Sequence, residues 1–307
     1  MAGVIERRPA AVAFLGLGLI GGSIARALTL DPRTGRRLES RPRITAWTPS
    51  GHGPAAALQD GVIDRAAADP AEAIAGADLV VIAAPPLETI GLLERLGSDL
   101  RASLGGKTLV TDVTSTKGAI MGAAAAAGIP FVGGHPMAGR ETAGYESASE
   151  GLFVDRPWVI VTAEGAPEAT GAPVRWLASA CGARAVSLTA ATHDAATAAI
   201  SHLPLIAAAA LVEAVAGSSN VDWSLARELA ASGWQGMTRL ARGDARMGAG
   251  IAATNAAALT GALRAYRDVL DAWLASLEGR DAPDAAALER RFQAARIRLE
   301  EPETSAG

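Results

Sequence analysis

Aromatic residues make up only 4% of the 307-residue chain, so its cores must be built from alanine, leucine, valine and isoleucine. Small side chains let helices approach closely, which favours a helix-rich architecture. Cysteine is nearly absent. The single Cys181 excludes an internal disulfide, fits a reducing compartment and reads as a small buried hydrophobe. Excess charge is lacking too: a formal net charge of −4 gives no footprint for nucleic acid or an anionic membrane surface. No metal-binding motif occurs. The start, MAGVIERRPAA, mixes acidic and basic residues and reaches a first strand by about residue 11, so no signal peptide is read there. The most apolar later stretch, AAISHLPLIAAAALVEAVAG, carries His202, Pro204 and Glu213 and reads as a buried helix rather than a membrane span. A cytoplasmic protein is expected.

What the chain does contain falls into two halves. Short apolar runs, AVAFL, RITAW, LVVIAA, TLVTD, FVGG, WVIVTA and ARAVSL, alternate with helical segments as far as residue 188. Continuous hydrophobicity predicts parallel strands covered on both faces, hence a doubly wound α/β domain over residues 1–188. Residues 189–307 show no comparable strand and read as an all-α domain. The Arg-rich interval RTGRRLESRPR, residues 33–43, reads as a solvated loop.

The stretch AVAFLGLGLIGGSIARAL gives a strand, then Gly16, Gly18 and Gly21 in GxGxxG spacing, then an amphipathic helix. That context makes the glycines a dinucleotide fingerprint: a tight turn, close backbone approach to a pyrophosphate, and close helix packing. The helix start offers unpaired N–H groups to the phosphates. At the end of the second strand, ITAWTPSGHG places Thr48 where NAD-selective sites carry a carboxylate. With hydroxyls at Thr48 and Ser50, and His52 or a loop arginine nearby, NADP is favoured over NAD. The cofactor-binding set is Gly16, Gly18, Leu19, Ile20, Gly21, Thr48, Ser50, Ala84, Pro85 and Asp112.

Two further residues fall just beyond strand ends, where ligands bind in open α/β sheets. Ser115 follows TLVTD, as a candidate site residue or a helix cap. Lys117 reads as a solvated or dipole-related charge. His135 stands in FVGGHPMAGRE; glycines favour a sharp turn and Pro136 bars helix, so His135 is expected outside regular structure. His193 and Asp194 open the first helix of the second half and read as structural. His202, nine residues on, is half a turn out of phase with His193 on a regular helix, so a shared metal is not expected, and it reads as a buried, hydrogen-bonded helix residue. Pro204 is expected to kink that helix.

GLGLIGGS, TDVTSTKGAI, GGHPMAGRE, HDAATAAISHLP and ASGWQGMTRLARGD, in this order over nearly the whole chain, resemble the prephenate and arogenate dehydrogenases of tyrosine biosynthesis. The resemblance implies NAD(P)-dependent oxidative decarboxylation of prephenate or arogenate, with His135 as general base and Ser115 on the same substrate hydroxyl. It also implies Arg239 on a substrate carboxylate, Glu141 in an ionic network near the cleft, His202 in the substrate site, and a homodimer through the helical domain. SHLPL carries Leu205 where many prephenate-using members have histidine. Gly248 stands near the place of a tryptophan in some prephenate-specific relatives, and SGW at 232–234 is similar to arogenate enzymes, so arogenate is slightly favoured. Other two-domain NADP-dependent dehydrogenases or reductases, and a non-catalytic NADP-sensing protein, share the glycine fingerprint but give no reason for GGHPMAGRE or SHLP.

Overall fold

Eight strands form one sheet in the order β3-β2-β1-β4-β5-β6-β7-β8 in a computed structural model that describes residues 8–140, 142–278 and 283–301. The strands are β1 (Ala11–Leu15), β2 (Arg43–Trp47), β3 (Arg65–Ala66), β4 (Leu79–Ile82), β5 (Leu109–Asp112), β6 (Phe131–Pro136), β7 (Pro157–Val161) and β8 (Arg184–Ser187). Between them lie α1 (Leu19–Ala27), α2 (His52–Gln59), α3 (Pro70–Ile74), α4 (Pro86–Gly97), α5 (Gly118–Ala127) and α6 (Ala172–Ala180). Val12, Phe14, Leu79 and Val81 point into one core, Ala13, Leu15, Val80 and Ile82 into the other. This two-sided burial is the reason for continuous rather than alternating hydrophobicity. Cys181 is fully buried in the first core, and burial pushes its thiol pKa up.

The sheet departs from an all-parallel one at a single pair of strands, since β7 runs antiparallel to β6 while β8 is parallel to β7. A parallel return needs a crossover, usually a helix. The β7–β8 link has α6 for this purpose, whereas the described β6–β7 link has only the 3-10 turn Tyr145–Ser147. The two-residue β3 is too short to register as an apolar run.

His135 lies inside β6, paired with Val159, and Pro136 pairs with Trp158. The expectation of a sharp turn is therefore wrong. The bias against helix before proline is equally a bias toward extended backbone, and proline is tolerated at a strand end. Gly133 and Gly134 serve packing instead. A Cβ on Gly134 would lie 2.6 Å from the Asp112 carbonyl oxygen, and one on Gly133 would lie 3.0 Å from Lys117 Cδ.

Beyond β8 the described chain is helical: α7 (Ala190–Thr197), α8 (Leu203–Ala216), α9 (Trp223–Glu228), α10 (Ser232–Thr238), α11 (Ala245–Thr254), α12 (Ala256–Leu277) and α13 (Ala285–Glu300). A π-helical turn, Ala198–His202, joins α7 to α8, closed by the Leu203 N–H on the Ala198 carbonyl. Pro204 has no N–H to offer the Ile200 carbonyl four residues back, which disfavours a regular α-turn here. The continuous helix Ala190–Ala216 is long and apolar enough to cross a membrane. It is not the deeply buried helix expected from sequence: within α8 only Ala208 is buried.

The chain divides into two compact units, up to Leu259 and from Thr260 onward. The first holds the sheet together with α7 to α11. In the second, Arg291 stacks over the Trp273 ring at 3.9 Å and donates to the Ala272 carbonyl at 2.8 Å, and Phe292 packs on the same ring.

The tight approach at Gly134 makes Gly134→Ala an overpacking change, expected to cost ~1–3 kcal/mol. Calorimetry should show a clear fall in Tm; an unchanged Tm would mean that β6 has room for a methyl group.

Candidate active site

The glycine loop after β1 turns tightly into α1. Gly16 has φ of +105°, a conformation L side chains rarely adopt, and a Cβ there would collide with the Ala83 carbonyl. A Cβ on Gly21 would lie 2.6 Å from the Gly16 carbonyl oxygen, so α1 could not pack as closely with any larger residue. Gly18 has nothing within 4 Å of its Cβ position, leaving the backbone open to a ligand. Leu19 and Ile20 begin α1, whose first turn has no side-chain cap. Backbone N–H groups at such an uncapped start suit a pyrophosphate.

This loop opens on a cleft of about 560 Å³ lined by Gly16, Gly18, Thr48, Ala84 and Pro85, with Arg246 from α11. Ser50 stands outside the lining, in the turn before α2, 3.4 Å from the His52 N–H. The cations expected near Thr48 have other partners. His52 faces Glu146, Arg33 pairs with Asp155, Arg41 with Asp64, and Arg37 donates to the Gly61 carbonyl. The Arg-rich loop is thus tied down by named contacts rather than merely solvated, and the arginines that line the cleft are Arg95 of α4 and Arg246 of α11.

Asp112 is not available to a cofactor. It is fully buried at the end of β5 and accepts from the Thr114 and Gly134 N–H groups at 2.9 and 3.0 Å, and from the Lys117 ammonium. Lys117 is likewise fully buried, not solvated. Burial pushes its pKa down, opposed by the charges of Asp112 and Asp194. The turn between them carries Ser115, whose Oγ is buried with no hydrogen-bond partner. Ser115 does not cap α5, which starts without a side-chain cap.

Next to this turn His135, half-buried on β6, places Nδ1 2.8 Å from Nε2 of His193. His193 Nδ1 lies 2.7 Å from Asp194 Oδ1. Asp194 also accepts the Lys117 and Gly118 N–H groups, one on each oxygen, both at 2.7 Å. Burial raises its pKa, but these hydrogen bonds outweigh burial and hold the carboxyl below the usual range. For His135, burial first, then the Lys117 charge, His193 and His202, push the pKa well down. The neutral ring is the stable form.

His202 is fully buried, and its ring joins the same cluster despite being half a turn out of phase on a regular helix, because the π turn changes that phase. Asn255, between α11 and α12, donates Nδ2–H to the Asp194 carbonyl at 2.9 Å and to His202 Nδ1 at 3.1 Å. A carbonyl can only accept, so this fixes the amide orientation. His202 therefore carries its proton on Nε2, a buried atom on the side of the Ser115 main chain.

Of the residues singled out from sequence, Ser115, His135 and His202 come together. Arg239 stands in the helical half, exposed at the head of the 3-10 turn Arg239–Arg242. Glu141 lies outside the described residues. His193 and Asp194, read as structural, and Asn255, not singled out, are central to the cluster. An asparagine in the Ala/Gly-rich run GIAATNAAALTGAL is the signal that was there to find: asparagine is a poor interior helix residue, and the helix does break at it.

The family model for the nucleotide-binding domain of prephenate dehydrogenase matches residues 36–187, and that for its dimerization domain matches residues 189–293. The chain belongs to the prephenate dehydrogenase family. A prephenate dehydrogenase of Bacillus subtilis is 33% identical over 235 residues, 76% of this chain; the match spans only 60% of that relative's length. The crystal structure of Synechocystis arogenate dehydrogenase is 30% identical with a TM-score of 0.72, covering 94% of this chain and 99% of that one. A prephenate dehydrogenase from A. aeolicus, in complex with hydroxyphenyl propionate and NAD+, has a TM-score of 0.80 at 23% identity, covering 94% of this chain and 97% of its own. That likeness establishes the shared fold: a doubly wound sheet domain followed by helices.

Within this family member the buried Asp112–Lys117 pair supports the turn bearing Ser115. Removing one partner of such a pair leaves an uncompensated buried charge, so Lys117→Met is expected to destabilise by ~3–5 kcal/mol. Urea unfolding measures this directly, and a loss below ~1 kcal/mol would assign the pair no more weight than a surface ion pair.

Proposed function

We propose that the chain is an NAD(P)-dependent dehydrogenase that oxidatively decarboxylates arogenate or prephenate, with arogenate slightly favoured and NADP favoured over NAD. The observation that carries this reading is a neutral histidine, His135, grouped with His202 and with the buried Ser115 Oγ, which has no hydrogen-bond partner among the described residues. Leaving such an atom unsatisfied costs ~1–3 kcal/mol, a cost that a ligand's oxygen atom would relieve.

The substrate in this reading is a cyclohexadiene with a ring hydroxyl and a carboxylate on the opposite quaternary carbon. A bound nicotinamide dinucleotide supplies the hydride acceptor. His135 takes the hydroxyl proton as the C4 hydrogen leaves with its electron pair, while Ser115 hydrogen-bonds the same oxygen. Electrons of the breaking ring–carboxylate bond then flow into the ring, CO₂ departs, and the proton on His135 returns to the phenolic oxygen. A base is required because an acid at that position would expel water instead. His202 offers an N–H donor to the substrate. Arg239, whose planar guanidinium pairs bidentately with a carboxylate, holds the anionic group.

Thr48 stands on the cleft wall where NAD-selective sites carry a carboxylate, which supports NADP; the same cleft is lined by Arg95 and Arg246 together with Glu88 and Asp244. Leu205 and Gly248 support arogenate: a Cβ on Gly248 would lie 3.8 Å from Leu205 Cδ2, so the two departures from prephenate-using relatives meet in one apolar patch. We also propose a homodimer through the helical half. Ile200, Leu225, Leu229 and Met237 are exposed in the first unit, and Leu270, Leu274 and Leu277 in the second, apolar side chains that a second copy would cover.

The test is a two-by-two assay of arogenate and prephenate with NAD and NADP, following reduced cofactor and CO₂. Activity with one pair is expected, and His135→Asn should lower kcat by ~10² or more with cofactor binding intact. No turnover of either substrate by the folded protein, or full activity in His135→Asn, would overturn the reading.

The electrostatics also set the pH response. Protonation removes the base, so kcat/KM falls as pH drops through the pKa of His135. That pKa is pushed well down, so the acid limb should lie below the ordinary histidine value of about 6.5; a limb at or above it would show that His135 is not the titrating base.

A further inference from the structure

His193 and Asp194 fix which nitrogen of His135 carries a proton. Asp194 Oδ1 receives the Lys117 N–H and Oδ2 the Gly118 N–H, so both oxygens are engaged as acceptors. The third contact, His193 Nδ1 at 2.7 Å from Oδ1, must then be an N–H donor. In the neutral ring of His193 this leaves Nε2 with its lone pair, 2.8 Å from His135 Nδ1. Two lone pairs cannot face each other at that distance, so His135 Nδ1 carries the hydrogen.

We propose that Asp194, acting through His193, is a positioning device that holds His135 in the Nδ1–H tautomer and keeps Nε2 as the nitrogen that accepts the substrate proton. The inference rests on His135 being the base. It uses the general rule that the hydrogen bond made by one ring nitrogen decides the state of the other, here passed through two rings instead of one. Its direction is set by backbone: the N–H groups of Lys117 and Gly118 at the start of α5 keep Asp194 an acceptor, and α5 has no side-chain cap of its own. When Nε2 takes the proton, the His135 cation donates from Nδ1 to His193, whose ring already donates to the carboxylate. The new positive charge is thus stabilised at a distance by Asp194. His202 is held the opposite way, by Asn255, and presents a donor. Neighbouring histidines thereby carry complementary tasks without either being exchangeable for the other.

The chain has four histidines, so long-range ¹H–¹⁵N correlation spectra of the ¹⁵N-histidine-labelled full-length protein, assigned by single substitutions, can read each tautomer near pH ~8, where a neutral ring predominates. Nδ1–H is expected for His135 and His193, and Nε2–H for His202. Nε2–H on His135 overturns the proposal. This readout needs no substrate, so it stands or falls separately from the assignment of arogenate or prephenate. Activity supplies a second test. His193→Gln places an acceptor near the former Nε2, whereas His193→Asn keeps the link to Asp194 and loses His135. The proposal expects kcat at least tenfold below the parent for His193→Asn and an intermediate kcat for His193→Gln, which keeps an acceptor for Nδ1–H but loses the link to Asp194, with KM for the nicotinamide cofactor within about twofold in both. Equal kcat values for the two variants would reduce His193 to a packing role and overturn it.

Discussion

The carboxylate of Asp194 is the contact on which the geometry of the site depends. It sits midway along α7, yet it binds the backbone N–H groups that open α5, so it ties the first helix after the sheet to the turn that follows β5. A carboxylate at a helix start is favoured by the unpaired N–H groups and by the helix dipole. In this position it does two things at once. It caps α5, which has no side-chain cap of its own, and it orients His193. Its main-chain carbonyl is held in turn by Asn255, so the residue is fixed from both ends.

The second constraint is space beneath β6. A buried lysine must have its stem accommodated as well as its charge neutralised. Gly133 and Gly134 give the stem and the Asp112 carbonyl that room, and Asp112 and Thr114 give the ammonium its partners. The lysine charge then acts on His135, adding to burial in pushing its pKa down. The glycine pair before the histidine therefore serves packing that indirectly tunes a base, and its small size matters more than its conformational freedom.

Much of this was legible in the sequence, because strands buried on both faces leave continuous apolar runs and a glycine fingerprint has a fixed local meaning. The apolar runs and the positive φ at Gly16 follow local rules. The failures had two sources, partners distant in sequence and local backbone that departs from the regular form. Asp112 reads as a strand-end ligand, but Lys117 and Gly134 consume it. The phase argument separating His193 from His202 assumes a regular helix, and Pro204 makes the helix irregular. His193 and Asp194 look like ordinary helix-start residues until β6 brings His135 against them. A single histidine–aspartate pair has no local signature that distinguishes a cap from an orienting group.

The scarcity of aromatics has a consequence for how such a site can be assembled. Large rings commonly fill irregular space and hide polar groups from water; here Trp158 is the ring that packs under β6 beside Gly134, and the contacts between neighbouring helices are made by short side chains and backbone. Thr116 meets Thr254 at 2.9 Å, and Gly250 on α11 packs a Cβ-sized gap from Pro86 on α4. Such close backbone approach is possible only where both surfaces carry small residues. It makes the helices around the site rigid at short range, because a small residue has no alternative rotamer to adopt. On the outer side of the helical half, Leu225, Leu229 and Met237 remain exposed in and next to α9 and α10.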